Sequence, residues 1–249
     1  KDFTYIDEET IRFGLYTIKN FGQGIADVII EERKVQGRFK SIADFLDRIK
    51  DKNLNKKSME ALIKCGAMDE LGERGSLLGN LENILAYNKE KNKAPENQDS
   101  LFGLMTDTST VPKLKLETYA KANVPETLAW EKELLGLYIS GHPLDKYKEK
   151  LDKRDIDIKK LKETGSNNME VVAIGIIEEA KELLTKKGDK MMFLKIADFS
   201  GSLECVVFPK VFTQYSQILL PETCVAIKGK FSERNGMPSV LVYKIKKLD

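Results

Sequence analysis

The stretch Lys190–Phe208, KMMFLKIADFSGSLECVVF, decides the fold of the second half of the chain. It contains two runs in which apolar residues occupy every second position, separated by the turn sequence Phe199-Ser200-Gly201. A period of two is typical of β-strands that bury one face. Three further strand-like runs are Val171–Leu184, Cys224–Phe231 and Val240–Lys246. The sequence therefore predicts five strands within residues 168–249.

A helix-like interruption, Pro209–Leu219, lies between the third and fourth predicted strands. Glycine-containing turns connect the first two strands at Lys187-Gly188-Asp189 and the last two at Arg234-Asn235-Gly236. Five strands with a helix after the third form the arrangement of an OB-fold barrel. We therefore expect an OB-fold domain over residues 168–249.

Residues 1–93 have a helical pattern instead, because apolar residues recur at steps of three and four. The sequence predicts one amphipathic helix that runs to about Lys91. Its apolar stripe, which we expect to be buried in a core, consists of Leu77, Leu78, Leu81, Ile84 and Leu85. Ser41 and Asp44 have the spacing of a capping box at a helix start.

Composition divides the remainder of the chain. Residues 94–120 are rich in Pro, Asn, Thr, Ser and Asp without any period, which predicts a linker. Residues 121–167 predict a helical connector, in which one helix spans Thr127–Ile139 and ends at Ser140-Gly141-His142-Pro143. The predicted fold class is multidomain α plus β, with a helical domain over 1–93 followed by the OB-fold domain.

The overall composition excludes several classes of protein. The chain has 249 residues, 41 Lys and Arg against 39 Asp and Glu, and a formal net charge of +2. No apolar run reaches the roughly 20 residues that a membrane-spanning helix needs. Cys65, Cys205 and Cys224 show no Cys-x-x-Cys spacing, which argues against a disulfide framework and a structural zinc site. We expect a cytoplasmic protein with no membrane partner.

The segment Ile18–Ile29, IKNFGQGIADVI, places a tight turn between an apolar residue and a helix start. It resembles a helix-hairpin-helix motif, in which backbone N–H groups and a helix N-terminus bind a DNA phosphate. The motif has Gly where this chain has Asn20, and Asn is the next residue in tolerance of left-handed backbone. The predicted duplex-binding residues are Lys19, Asn20, Phe21, Gly22, Gln23 and Gly24. The alternative is a plain helix connection without a ligand, and a weaker copy at Leu62–Met68 is expected to be architectural.

Cations and an aromatic residue gather on the predicted barrel. An exposed ring can stack on a base of single-stranded DNA while nearby cations hold its phosphates. The predicted single-stranded DNA-binding residues lie in the first hairpin, on the second strand and in the last hairpin: Lys186, Lys187, Lys190, Phe193, Lys195 and Arg234. The alternative is that the hairpin lysines only solubilise the protein.

A short apolar pair lies within the polar linker. Gln98, Asp99, Ser100, Leu101 and Phe102 resemble the peptide by which replication proteins bind the sliding clamp, the beta subunit. In this interpretation Leu101 and Phe102 fill an apolar pocket while Gln98 hydrogen-bonds at its rim. The alternative is that the pair folds back onto the helices of this chain.

No catalytic or metal-binding constellation is found in the sequence. His142 is the only histidine, and its position before a proline at a predicted helix end makes a general-base or metal role unexpected. The sequence contains no Gly-rich phosphate loop with a Lys and no Gly-x-Ser-x-Gly motif. We expect no catalytic residue, no metal site and no cofactor in this chain.

Together these motifs resemble the C-family replicative DNA polymerases of bacteria, the alpha subunits of DNA polymerase III. The resemblance covers essentially the whole chain in the family's domain order. Besides the OB-like segment, it is carried by Ile11–Leu15 (IRFGL), Ala61–Ala67 (ALIKCGA), Gln98–Gly103 (QDSLFG) and Trp130–Leu144 (WEKELLGLYISGHPL).

The resemblance implies a C-terminal portion of such a polymerase: the end of the fingers, a tandem helix-hairpin-helix domain, the clamp-binding linker and the OB domain. It implies a parent nucleotidyltransferase that uses Mg²⁺, whose catalytic palm lies outside this chain, and partners among the other holoenzyme subunits. Two alternatives remain open at this stage. One is a free-standing DNA-binding adaptor in repair, and the other is the same region of a mutagenic C-family polymerase.

Overall fold

The computed structural model describes residues 2–8, 10–93, 113–154 and 156–248. The chain forms two compact units, Lys1–Ser140 and Gly141–Asp249. Within the described residues, no helix combines the length and the apolar character needed to cross a membrane.

The first unit is helical apart from one small hairpin. Its elements are β1 (Thr4–Asp7), β2 (Thr10–Arg12), α1 (Gln23–Gln36), α2 (Ile42–Arg48), α3 (Lys56–Lys64), α4 (Arg74–Gly79), α5 (Leu81–Lys93) and α6 (Val124–Leu135). The prediction that residues 1–93 are helical throughout is wrong at the start, where β1 and β2 pair antiparallel with Tyr5 opposite Ile11. Thr and Ile are β-branched and favour this pairing.

The predicted capping residues act as expected at α2. The Ser41 side chain accepts a hydrogen bond from the Asp44 N–H, 3.1 Å away. The Asp44 carboxylate accepts from the N–H of Lys40, one residue before the cap, at 2.8 Å. Helix α2 thus starts where the sequence placed it, although the return bond of the capping box goes to the preceding residue.

The predicted helix through Leu77 and Leu81 is broken at Asn80, which separates α4 from α5. Its apolar stripe nevertheless enters the core as predicted, with Leu77, Leu81 and Ile84 buried. The break follows from the Asn80 side chain, because its amide donates to the carbonyl of Ser76 at 2.9 Å and of Glu117 at 2.8 Å. Its oxygen accepts from the Glu117 N–H at 2.7 Å.

Residues 113–123 form neither helix nor strand and lie along α4. The Glu73 carboxylate accepts from the N–H of Ala122 at 2.8 Å. A Cβ on Gly75 would lie 2.5 Å from the Ala120 carbonyl oxygen, so only glycine permits this close backbone approach. The described residues on both sides of segment 94–112 therefore belong to the helical unit.

Helix α6 ends at Gly136, which has the left-handed φ of 79°, and not at Ile139 as the sequence predicted. Beyond this end, the fully buried Glu131 accepts hydrogen bonds from the N–H groups of Ile139 at 2.7 Å and Ser140 at 2.9 Å. It also accepts from the Ser140 hydroxyl and from Arg74 Nη1, the latter at 2.9 Å. The predicted connector 121–167 is thus divided, because its first part to Ser140 belongs to the helical unit.

Burial alone would raise the pKa of Glu131, but the hydrogen bonds from Ser140, Ile139 and Arg74 outweigh it and lower the pKa below its ordinary value. Arg74 is 8% exposed and makes a second, bidentate pair with Asp69 at 2.8 Å for both bonds. The Glu131 carboxylate is therefore held in its charged form inside the protein.

The second unit is a closed five-stranded barrel, as predicted for an OB-fold. Two short helices precede the barrel. Its elements are α7 (Lys148–Asp152), α8 (Ile158–Thr164), β3 (Glu170–Leu184), β4 (Lys190–Ala197), β5 (Ser202–Val207), α9 (Pro209–Tyr215), β6 (Cys224–Arg234) and β7 (Met237–Lys247). The strand order is β3-β4-β5-β7-β6, in which β5 and β7 pair parallel and the other pairs are antiparallel. Leu194, Cys205, Ile227 and Phe231 lie in its core.

Removal of the Glu131 charge should destabilise the helical unit. We expect Glu131→Gln to lower the free energy of unfolding by about 3 kcal/mol at neutral pH, because Arg74 loses a buried partner. Because the folded pKa is lowered, this contribution is present above about pH 4.3 and is lost as pH falls through the folded pKa. Urea denaturation of both proteins at several pH values measures the difference.

The matched control is Glu70→Gln, because Glu70 pairs with Arg38 at the surface, where both side chains are more than three-quarters exposed. This change should alter the unfolding free energy by less than about 1 kcal/mol. Equal stability of Glu131→Gln and wild type at neutral pH would contradict a stabilising role of the buried carboxylate.

Candidate nucleic-acid interface

The predicted hairpin turn at residues 19–24 has its left-handed residue at Asn20, with φ of 65°. This confirms that Asn takes the left-handed backbone conformation in this turn. Gly22 has an extended conformation with φ of −73°, and Gly24 lies in the first turn of α1. The two glycines are therefore not required by a left-handed backbone.

Packing does not require these glycines either. A Cβ added to Gly24 would find no atom within 4 Å, and one added to Gly22 would find only Ile25 Cγ2 at 3.9 Å. Both glycines are exposed. The missing side chains leave the backbone of the turn open to a group that approaches from outside.

Helix α1 begins at this turn without a side-chain cap, because its N-cap residue is Gly22. In contrast, the starts of α2, α3, α4 and α6 are capped by side chains, those of Ser41, Asn55, Glu73 and Asn123. The first turn of α1 also has no acidic residue. Its N–H groups and the positive end of the helix dipole are therefore available to an anion.

The turn opens onto a groove of about 280 Å³ that also reaches the start of α3. Asn53, Asn55 and Lys57, which are absent from the predicted site, line this groove together with Asn20, Gly22 and Gly24. No local pattern announces these residues, because α3 is brought beside the turn only by the packing of the helical core. Lys57 is exposed and adds a cation to this surface.

Two of the predicted duplex-binding residues contact other parts of the helical unit. The Phe21 side chain is 7% exposed and belongs to the helical core, so its ring faces inward. The Lys19 N–H donates to the carbonyl of Leu134 in α6 at 2.8 Å, while its side chain is exposed. Asn20, Gly22, Gln23 and Gly24 are all exposed on the outside of the turn.

In the weaker hairpin copy at Leu62–Met68, which the sequence predicted to be architectural, the glycine is required by the fold. Gly66 has a φ of 82°, and a Cβ there would lie 2.3 Å from Arg74 Nη2. Both its backbone and the space around it therefore require glycine, unlike Gly22 and Gly24.

On the barrel, strand pairing places Phe193 of β4 opposite Val206 of β5, and Val206 opposite Leu241 of β7. Their side chains form an outer row, and Phe193 is 36% exposed. The register places the β3–β4 hairpin at one end of these strands and the β6–β7 hairpin at the other. The predicted residues thus border one outer face, with Lys186, Lys187 and Lys190 at one end and Arg234 at the other.

Two of the predicted cations on this face are already paired with carboxylates. Lys195 Nζ lies 3.3 Å from Glu178 and 3.7 Å from Glu179, and the hydrogen bond with Glu178 raises the pKa of Lys195. Lys190 Nζ lies 2.8 Å from Glu182. Lys186, Lys187 and Arg234 are exposed, and the structure records no ion pair for them among the described residues.

The predicted clamp-binding residues Gln98, Asp99, Ser100, Leu101 and Phe102 lie outside the described residues. Elsewhere, in the part of the chain that the structure describes, no group of three or more His, Cys, Asp and Glu side chains could hold a metal ion. His142 donates its N–H to Asp145 and accepts from the Leu144 N–H through Nδ1 at 3.1 Å, which places it within a turn.

Comparison with known protein families matches both units to nucleic-acid modules. Residues 1–77 match the helix-hairpin-helix motif, and residues 171–248 match the OB-fold nucleic acid binding domain. Among solved structures, the replication factor A related protein of Methanobacterium thermoautotrophicum is 18% identical over 39% of this chain and 94% of its own. The TM-score of the two structures is 0.31.

Two curated relatives cover nearly the whole chain. The DNA polymerase III subunit alpha of Aquifex aeolicus is 38% identical over 93% of this chain and 18% of its own length. That of Borreliella burgdorferi is 34% identical over 96% of this chain and 21% of its own length. The chain therefore spans about a fifth of the length of these relatives. The chain belongs to the family of bacterial DNA polymerase III alpha subunits.

Proposed function

We propose that this chain is the DNA-binding and clamp-binding portion of a bacterial replicative polymerase, without a catalytic site of its own. The observation that carries the proposal is the uncapped start of α1 beside two exposed glycines, in a chain of this family. The chain acts in the bacterial cytoplasm with the other holoenzyme subunits. Nucleotide transfer with Mg²⁺ is left to the parent's catalytic domain.

The hairpin would hold the backbone of duplex DNA. A phosphate that enters the groove can approach the N–H groups of Gln23 and Gly24 closely, because no side chain at Gly22 or Gly24 covers them. Lys57, which lines the groove, and the exposed Lys19, which precedes Asn20, supply charge without contacting a base. Such contacts position the duplex and carry no direct sequence information.

The peptide Gln98–Phe102 would bind the sliding clamp. The described residues on both sides of segment 94–112 belong to the helical unit, since α5 ends at Lys93 and Glu117 bonds to Asn80. The clamp would therefore be tethered to the unit that holds the duplex. Tethering converts dissociation into rapid rebinding through a high local concentration.

The outer face of the barrel would guide unpaired template strand. Phe193, Val206 and Leu241 offer a partly exposed apolar row on which bases can stack. The charge on this face is uneven, because Lys195 is held by two carboxylates while Lys186 and Lys187 are exposed in the hairpin. We therefore assign most of the phosphate contact to the hairpins.

Gly24→Ala should weaken duplex binding without destabilising the protein. The added methyl group meets no atom of this chain and improves helix propensity, but it obstructs a phosphate at the amide. We expect about tenfold weaker binding to a short blunt duplex, the loss of one hydrogen bond to a charged group. Fluorescence anisotropy measures affinity, and thermal unfolding checks stability.

The matched control is Gly201→Ala in the β4–β5 turn, where a Cβ also meets nothing within 4 Å and φ is not left-handed. Its duplex affinity should equal that of the wild type. If Gly24→Ala also binds duplex normally, the hairpin is a plain helix connection.

Leu101→Ala with Phe102→Ala should abolish binding of this chain to the bacterial sliding clamp, because both apolar anchors of the peptide are lost. Surface plasmon resonance with immobilised clamp measures the interaction. Leu104→Ala with Met105→Ala removes apolar side chains of the same segment outside the motif and should leave binding unchanged. Normal binding by the Leu101 and Phe102 variant would exclude this peptide as the tether.

Lys186→Gln with Lys187→Gln should weaken binding of oligothymidylate and flatten its salt dependence by about 0.7 in the log–log slope for each lost phosphate contact. Lys195→Gln should have a smaller effect, because Glu178 and Glu179 already neutralise this cation. Anisotropy titrations at several salt concentrations measure both. If the hairpin variant shows the same affinity and the same salt dependence as the wild type, these lysines only solubilise the protein.

A further inference from the structure

The first half of strand β3 has one edge without a partner strand. Residues 170–176 of β3 pair with β6, but the pairing of β3 with β4 begins only at Ile176, opposite Ala197. Within the described part of the barrel, residues 170–175 therefore have β6 on one side and no strand on the other. An unpaired edge presents backbone N–H and C=O groups to which a further extended chain can bind.

The ladder with β6 determines which backbone groups point to this open edge. The Ile177 N–H donates to the carbonyl of Thr223, just before β6, at 2.9 Å. Residues that bond across an antiparallel pair alternate with residues whose N–H and C=O point away, so those of Val172 and Ile174 point to the open edge. The guanidinium of Arg154, which donates to the Val172 carbonyl there, agrees with this direction.

Three backbone groups at this edge remain available to a partner. Among the described residues, the structure records no hydrogen bond for the N–H of Val172 or for the N–H and C=O of Ile174. Arg154 already satisfies the fourth group, the Val172 carbonyl, in the place of a strand N–H. The available groups have the spacing of a β-ladder, which only another extended backbone matches.

The open edge lines a pocket of about 370 Å³ in the barrel unit. Residues 172–174 form one wall, and α7, α8 and the β4–β5 turn form the others. Apolar side chains in these walls include Leu151, Ile158 and Leu161, and the ring of Phe199 is 50% exposed. Backbone groups beside an apolar pocket are the two features of strand addition, in which main-chain bonds supply affinity and pockets accept alternate side chains.

The charges that line the pocket favour a basic occupant. Asp152, Asp157 and Asp198 contribute three carboxylates, against the single guanidinium of Arg154. Asp198 is used within the fold, because it accepts from the Ile158 N–H at 2.9 Å, whereas Asp152 and Asp157 are exposed. An excess of negative charge repels the phosphates of a nucleic acid and attracts a Lys or Arg side chain.

We propose that this edge binds an extended basic peptide segment of a partner protein by strand addition. In an antiparallel arrangement, one peptide residue donates to the Ile174 carbonyl and accepts from the Ile174 N–H. The Val172 N–H donates to the peptide carbonyl two residues further along, and Arg154 keeps the Val172 carbonyl. An apolar side chain of the peptide enters the pocket, while a cationic one meets Asp152 or Asp157.

The test is a titration of the isotope-labelled chain, followed by nuclear magnetic resonance at the amides of Val172 and Ile174. The probe is the synthetic peptide acetyl-Lys-Val-Thr-Val-Lys-amide, which has strand-forming residues between two cations. We expect saturable downfield proton shifts at both amides. The same peptide with methylated internal amide nitrogens should give no saturable shift, because it cannot donate to the Ile174 carbonyl.

Val172→Pro removes the outward N–H and leaves the ladder with β6 intact, since proline is tolerated where the N–H faces away from the sheet. We expect about fivefold weaker binding at the Ile174 amide, the loss of one hydrogen bond. The matched control, Val172→Ala, keeps the N–H and should bind as the wild type does. Thermal unfolding checks both folds, and the methylated peptide tests the wild type independently of either variant.

Three results would overturn the proposal. The first is the absence of saturable shifts at the Val172 and Ile174 amides of the wild type. The second is equal binding of the methylated peptide, which would mean that side chains alone dock in the pocket. The third is an equal response of these amides to oligothymidylate or to the peptide with Glu in place of Lys, because the site would then not select a basic peptide.

Discussion

The helical unit depends on one buried charge, the carboxylate of Glu131. It joins Arg74 at the start of α4 to the backbone of Ile139 and Ser140, and thus connects parts of the chain that are far apart in sequence. A buried carboxylate is costly unless each oxygen is satisfied, and here four donors satisfy it. The same helix supplies the Leu134 carbonyl that accepts from Lys19 at the hairpin, so the candidate DNA-binding turn is positioned by α6.

The fold of the helical unit requires glycine at some positions and not at others. At Gly66 and Gly75, the backbone conformation or the neighbouring atoms of the chain exclude any side chain, and glycine serves the fold. At Gly22 and Gly24 nothing inside the protein requires it. These two glycines therefore fit the proposed function, in which a phosphate approaches the amides of an uncapped helix start.

Local sequence patterns predicted the elements whose formation depends on residues that are close in sequence. The alternation through Leu194, Cys205 and Ile227 predicted the barrel because a strand buries every second residue whatever it pairs with. The cap at Ser41 and the stripe through Leu77 and Leu81 were found for similar reasons. The break at Asn80 was missed, because its cause is a hydrogen bond to Glu117, far away in the sequence. The β1–β2 hairpin was missed as well, because short strands carry little periodicity.

The sequence by itself determined the order of modules, the strand alternation, the position of the left-handed Asn20 and the family resemblance, since these depend on residue type and short spacing. Only the tertiary structure decided which charged side chains are already paired within the protein and which remain available to a ligand. Lys195 is paired with Glu178 and Glu179 across neighbouring strands, while the Tyr147 hydroxyl is buried without a hydrogen-bond partner. Ion pairs and buried donors arise between residues that folding brings together from distant positions, so no local pattern in the sequence can reveal them.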